Sequence, residues 1–148
     1  MTGKINPLFY YLLSFTWGLP MTFVGSVVAS VLVLAGYKPK RYAYSLYFEV
    51  GRHWGGVNLG TVFVCQKNAS IETKTHEQGH GVQNCYFGPL MPFVVCIPSA
   101  IRYWYRCFIE HYNPKKYKSL PGYYSIWFEK QANSLGNDLI KYLEAQKK

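Results

Sequence analysis

The pattern His76-Glu77-x-x-His80 is the part of the sequence best suited to chemistry. Residues four apart share one face of an α-helix, so the two imidazoles can bind the same metal ion. Glu77 lies at the adjoining edge of that face, where its carboxylate can reach a metal-bound water. The chain has only four histidines, so the pattern has a small chance of arising at random. The sequence therefore predicts a metal site.

A catalytic zinc site uses three protein ligands and one water, so a third ligand is expected. The candidates are His53, Glu110, His111 and Glu129. Glu129 is the best placed, because the segment Tyr123–Ala145 has apolar residues at three- and four-residue steps and predicts an amphipathic helix. The alternative is that Glu129 is an ordinary surface glutamate paired with a lysine.

The order of motifs along the chain resembles the gluzincin metallopeptidases, the thermolysin-like clan. HEQGH is followed on a later helix by E-x-x-A-N, which is Glu129–Asn133 here. More narrowly, the chain is similar to small bacterial membrane-linked, minigluzincin-like proteins, which pair H-E-x-G-H-x-x-Q with G-P-L and W/Y-x-E-x-x-A-N. Those elements are His76–Gln83, Gly88–Leu90 and Trp127–Asn133. The resemblance covers Glu72 to about Gly136.

The resemblance implies Zn²⁺ bound by His76, His80 and Glu129, with Glu77 as the general base of peptide hydrolysis. Gluzincins usually have an aspartate where this chain has Asn133, whose amide oxygen can still accept a hydrogen bond from a ligand imidazole. Gluzincins also use a His, Tyr or Arg side chain to stabilise the transition state. The sequence does not choose among the rivals for that role, which are Arg102, His111, Tyr123 and Tyr124.

The elements that must position these residues predict an α+β fold. Arg41–Val50 and Gly55–Cys65 are rich in aromatic and β-branched residues and predict a short antiparallel sheet, with a turn at Gly51–Gly56. Ser70 is a suitable N-cap for the helix that carries the H-E-x-x-H motif. A C-terminal helix then supplies Glu129.

Residues 1–37 predict an N-terminal membrane anchor, because the apolar run Pro7–Gly36 has no charged side chain and exceeds the length that a bilayer core needs. Pro20 predicts a kink, so we expect either one kinked helix or an interfacial piece followed by a spanning helix. A buried hairpin and a cleaved signal peptide are the alternatives. The metallopeptidase domain implied by the resemblance would then cover residues 38–148. Basic residues follow the anchor, which predicts that this domain lies on the cytoplasmic side of the membrane.

A second apolar stretch lies between the two halves of the metal site. Phe87–Ile101 contains three prolines, and Arg102–Arg106 adds aromatic and cationic residues typical of a membrane interface. Residues 87–106 therefore predict a re-entrant or monotopic membrane-interacting segment, with a soluble core helix as the alternative.

Composition narrows the function classes. Hydrophobic residues make up 49% and charged residues 16%, which excludes a disordered tail and argues against a nucleic-acid partner despite the net charge of +9. Four cysteines without a C-x-x-C pair are too few for a disulfide scaffold. We expect a membrane-associated zinc metallopeptidase, with a peptide or protein substrate and membrane lipid as partners. The alternative is a non-catalytic small membrane protein with a degenerate or structural metal site.

Overall fold

The computed structural model describes residues 1–147 as an α+β protein, which confirms the predicted fold class. Lys148, the last residue of the predicted domain 38–148, lies outside this description. The helices are α1 (Pro7–Phe15), α2 (Leu19–Leu34), α3 (Ile71–Phe87), α4 (Ile97–Tyr112), α5 (Pro114–Ser119) and α6 (Trp127–Ala145). The strands are β1 (Lys40–Tyr42), β2 (Ser45–Glu49), β3 (Gly56–Leu59) and β4 (Val62–Cys65). Short 3-10 turns cover Gly88–Leu90 and Tyr123–Ser125, and a π-helical turn covers Pro92–Cys96.

The sheet is mixed, so the prediction of an antiparallel sheet was wrong. Its strand order is β1-β2-β4-β3, with β2 and β4 parallel and the two outer pairs antiparallel. Each of the two segments predicted as a strand folds into a tight hairpin of two strands, β1–β2 and β3–β4. The turns contain Ala43 and Gly60, whose φ angles are positive, at 48° and 79°. Every residue of β4 is buried, whereas β3 has two partly exposed residues and one exposed residue. The more apolar strand therefore takes the inner position, and β3 becomes an edge.

The N-terminal apolar stretch folds as two helices at 90° to each other rather than as one continuous helix. The bend at residues 16–18 is held by Asn84 of α3, whose side-chain amide donates to the Gly18 carbonyl at 3.1 Å. A Cβ atom on Gly18 would overlap that amide. The bend is therefore part of the packing between the N-terminal helices and α3.

Within residues 1–147, no helix combines the length and the apolar composition needed to cross a bilayer by itself. Two bent pairs meet both requirements together: α1 with α2, and Ile71–Leu90 with Pro92–Tyr112 at 114°. One face of α2 packs on the sheet, where Val28, Ala29 and Leu32 contact a cluster that includes Phe48. The opposite face of α2 is exposed.

Helices α3 and α6 cross in close contact at small residues. A Cβ atom on Gly79 would overlap the carbonyl of Ala132, and one on Gly136 would overlap the carbonyl of Thr75. The absence of larger side chains lets the two backbones touch. This crossing brings the H-E-x-x-H motif against the first turns of α6.

The ends of both helices follow from local residues. Ser70 caps α3 as predicted, since its hydroxyl accepts a hydrogen bond from the Thr73 amide at 3.2 Å. Helix α6 begins at Trp127, four residues later than predicted, because Tyr123–Ser125 form a 3-10 turn and Ile126 is extended. The α6 helix still includes Glu129 in its first turn.

Candidate metal centre

Three buried side chains bring one donor atom each to a common point. His76 and His80 project from one face of α3, and Glu129 projects from α6; their exposed fractions are 6%, 8% and 0%. His76 Nε2 lies 3.1 Å from His80 Nε2 and 3.0 Å from Glu129 Oε2. His80 Nε2 lies 3.4 Å from the same oxygen. These three residues form a group that could hold a metal ion.

The triangle of donor atoms has the size of one face of a tetrahedral metal site. Metal–nitrogen and metal–oxygen distances of about 2.0–2.1 Å give donor–donor separations of about 3.3 Å in a tetrahedron. The observed separations of 3.0 to 3.4 Å agree with that value. Two imidazoles and one carboxylate suit Zn²⁺ and other divalent transition metals, and three protein donors leave a fourth position for water or substrate.

Two side-chain amides orient the imidazoles. Asn133 Oδ1 lies 2.8 Å from Nδ1 of His76, and Gln83 Oε1 lies 2.7 Å from Nδ1 of His80. The Gln83 amide nitrogen donates to the Phe128 carbonyl and to the side chain of Gln131, so its oxygen must face the imidazole. Each Nδ1 therefore carries the proton, and each Nε2 presents a lone pair to the other two donors.

Three lone pairs consequently converge on one small volume. Glu129 Oε2 is buried and has no hydrogen-bond partner in the part of the chain that the structure describes. Buried acceptors that face each other without a donor are costly unless a cation lies among them. The convergence of the two Nε2 atoms and Oε2 is the observation that best fits a bound metal ion.

The second oxygen of Glu129 is held by two hydroxyl groups. The Ser99 hydroxyl donates a short hydrogen bond to Oε1, and the Tyr123 hydroxyl donates to the same atom at 3.3 Å. Burial raises the pKa of Glu129, whereas the hydrogen bond from Ser99 lowers it and favours the ionised carboxylate. The free oxygen of that carboxylate is aimed at the imidazoles.

Glu77 is buried next to the histidines, with 4% of its surface exposed. It packs against Gly56 of β3, where an added Cβ atom would lie 2.7 Å from its Oε1. Its Oε2 has no hydrogen-bond partner among residues 1–147. Burial raises the pKa of Glu77 to about 7, although His76 acts in the opposite direction. A carboxyl group with a pKa near neutrality can both accept and release a proton.

These groups line a cavity of about 490 Å³. The lining includes Gly55 with the first three residues of the edge strand β3, and also residues of the π-helical turn and of α4. The Tyr124 ring also lines the cavity and packs edge-on against His76, with 4.9 Å between ring centroids. The cavity therefore contains the candidate metal ligands, a buried carboxyl group and an exposed strand edge.

The other candidate ligands lie elsewhere. His53 is in the connection between β2 and β3, and its φ angle is 61°. Glu110 and His111 are exposed near the end of α4. None of the three belongs to a metal-binding group within residues 1–147.

Three residues that contact the site were given no role from the sequence. Gln83 follows His80 by three residues on the same helix face, so helix geometry could have found it. Ser99 lies in an apolar, proline-containing stretch, and nothing in its sequence context indicates contact with Glu129. From the sequence, Gly56 was predicted only to be part of a turn, and its contact with Glu77 was not predicted.

No protein-family model matches the chain, and comparisons with curated proteins and with solved structures give no match either. The function is therefore inferred from the chemistry of the site.

Proposed function

We propose that the protein is a membrane-associated zinc metallopeptidase of the gluzincin type. The convergence of two imidazole lone pairs and one carboxylate oxygen carries this proposal. Glu77 in the same cavity and the adjoining edge strand support hydrolysis of a peptide rather than metal storage alone.

A zinc ion held by His76, His80 and Glu129 would lower the pKa of a water ligand to about 7 and polarise a carbonyl group. Glu77 accepts a proton from the attacking water and passes it to the leaving nitrogen as the carbon–nitrogen bond breaks. Each cycle consumes one water and yields a carboxylic acid and an amine.

The edge strand β3 is the proposed binding site for the peptide backbone. Its neighbour in the sheet is β4 on one side, and its other side is an edge. An extended substrate can pair with such an edge through main-chain hydrogen bonds. Gly55 and Gly56 place no side chain between that substrate and Glu77.

We assign Tyr124 as the donor that stabilises the developing oxyanion. Tyr123 is already bonded to Ser99 and Glu129, and Arg102 is bonded to backbone carbonyls. His111 does not line the cavity. Of these four rivals, Tyr124 lines the cavity, is half-exposed and contacts His76, so we expect its hydroxyl to meet the substrate.

Membrane association is proposed from the outward faces of α1 and α2. Exposed large apolar side chains on these helices and in the bend between them have 45–88% of their surface exposed: Leu8, Phe9, Leu12, Phe15, Trp17, Leu19, Phe23, Val24, Val27, Val31, Val33 and Leu34. Exposed apolar side chains in this number are typical of a lipid contact. The basic residues that follow α2 favour the cytoplasmic side of the membrane for the remaining chain.

The first experiment measures bound zinc in the full-length protein purified in detergent. We expect about one zinc ion per chain in the wild type and loss of zinc in His76→Ala and Glu129→Ala. Glu110→Ala, which removes an exposed glutamate outside the site, is the matched control and should retain zinc. Retention of zinc in both ligand variants would exclude the site.

The second experiment tests hydrolysis with a peptide library. We expect cleavage by the wild type and none by Glu77→Gln, which keeps the side-chain size but is not a base and should still bind zinc. Equal cleavage by both would exclude Glu77 as the base. Bound zinc without any cleavage would instead favour a non-catalytic membrane protein with a structural metal site.

A further inference from the structure

Helix α4 has one polar stripe that faces Glu129 and the segment 121–123, and one apolar stripe that is exposed. The polar stripe consists of Ser99, Arg102 and Arg106, which recur at three- and four-residue steps. The outward stripe consists of residues that are each 48–69% exposed: Ile97, Ile101, Trp104, Phe108 and Tyr112. Trp104 lies at the border of this stripe, because it also lines the cavity. The two faces of this helix therefore meet different surroundings.

The polar stripe holds two parts of the candidate site in place. The Ser99 hydroxyl donates a hydrogen bond to Oε1 of Glu129, whose other oxygen faces the imidazoles. Arg102 and Arg106 donate to three backbone carbonyls of residues 121–123, at 2.7 to 3.1 Å. That segment carries Tyr123 and leads to Tyr124. The position of α4 thus determines how firmly these groups are oriented.

Apolar packing holds α4 only weakly to the rest of the protein. Of its 16 residues, Ile109 is the only buried one. Segments with few buried apolar contacts open at a low free-energy cost. A partner that covers the outward stripe would therefore restrict the helix to the position in which its polar stripe contacts the site.

The chemistry around the outward stripe fits an anionic lipid surface. Its tryptophan and tyrosine are residues typical of the membrane–water interface. Helix α5 follows directly and contains Lys115, Lys116 and Lys118, which form no ion pair in the described part of the chain. The three lysines are exposed and follow the end of the apolar stripe in sequence, and basic residues near a membrane-facing surface attract anionic headgroups.

We infer that α4 docks on an anionic lipid surface and that this docking strengthens the candidate metal centre. The inference rests on the proposed function only in that a metal ion binds His76, His80 and Glu129. Coupling between two binding sites is reciprocal, so bound metal must strengthen lipid binding by the same factor.

The test measures the zinc dissociation constant of the full-length protein by competition with a chromophoric chelator. The protein is reconstituted in phosphatidylcholine vesicles with and without phosphatidylserine. Because α1 and α2 are present in both preparations, the difference reports the effect of the anionic headgroup. We expect zinc to bind about tenfold more tightly with phosphatidylserine, which lies within the usual range of allosteric coupling.

Three variants locate the effect. Arg102→Ala should keep the preference for anionic vesicles in a flotation assay but lose the lipid dependence of zinc affinity. Ile101→Ser should weaken both the preference and the lipid dependence. Leu46→Ser, which changes an exposed apolar residue of β2 far along the chain from α4, is the matched control and should change neither.

The outcomes separate this inference from the proposed function. Equal zinc affinity on both kinds of vesicle would overturn the inference without contradicting the proposed metal centre. If no zinc binds on both kinds of vesicle, the proposed metal centre itself is contradicted. If zinc affinity instead rises with protein concentration in lipid-free detergent, together with dimer formation, a second copy covers α4 and the lipid inference is wrong.

Discussion

Replacing Gly79 with alanine tests whether the crossing of α3 and α6 sets the metal geometry. An ideal Cβ atom at position 79 would lie 1.9 Å from the Ala132 carbonyl oxygen, and real Cβ atoms essentially never come closer than 3.0 Å. The helices must therefore separate by about 1.1 Å, the difference between 3.0 and 1.9 Å. Metal–ligand distances tolerate only about 0.2 Å.

The magnitude follows from two opposing effects. Alanine is favoured over glycine within a helix by about 1 kcal/mol, whereas overpacking typically costs about 1–3 kcal/mol. The free energy of unfolding should therefore change by no more than about 2 kcal/mol, and the protein should still fold. Because Glu129 lies one helical turn before Ala132, its oxygen moves away from the imidazoles. We expect zinc affinity to fall by about 100-fold, at the upper end of the losses seen when ligand orientation is disturbed.

The assay is chelator competition for zinc, with circular dichroism to verify folding. Gly122→Ala is the control, because a Cβ atom there meets nothing within 4 Å and its φ angle is ordinary. We expect wild-type zinc affinity in that variant. Wild-type affinity in a folded Gly79→Ala protein would refute the conclusion that close helix contact positions the ligands.

Three further changes probe other parts of the site. Gln83→Ala removes the acceptor for His80 Nδ1–H and should weaken zinc affinity about 10–100-fold in a chelator competition assay. An unchanged affinity would mean that the amide does not orient the ring. Gly56→Ala places a methyl group 2.7 Å from the Glu77 carboxylate, so peptide cleavage should fall while bound zinc stays constant. Loss of zinc would contradict the conclusion that Gly56 affects Glu77 and not the metal ligands. Ser70→Ala removes the N-cap of α3 and should lower the free energy of unfolding by about 1 kcal/mol in a denaturant titration, with cleavage by the remaining folded protein unaffected.

The sequence alone determined the local part of the site. A four-residue spacing in a helix necessarily places His76 and His80 side by side, because the helix repeats every 3.6 residues. The N-cap at Ser70 and the helix around Glu129 follow from the same short-range rules. These features depend only on residues a few positions apart.

The sheet shows where short-range rules end. The sequence correctly predicted extended structure in the two segments Arg41–Val50 and Gly55–Cys65. It did not predict that each segment would fold back into a hairpin of two strands. It also could not place β4 between β2 and β3, because strand order depends on which apolar residues the helices cover. The edge position of β3 beside Glu77 is a consequence of that packing.

Only the tertiary structure decided how the site is completed. Glu129 meets the histidines because Gly79 and Ala132 let α3 and α6 touch, whereas His53, Glu110 and His111 lie on elements that do not approach the imidazoles. Ser99 reaches Glu129 from the apolar segment through a contact between residues 30 positions apart. No periodicity encodes such a contact, since it arises from the packing of the whole chain.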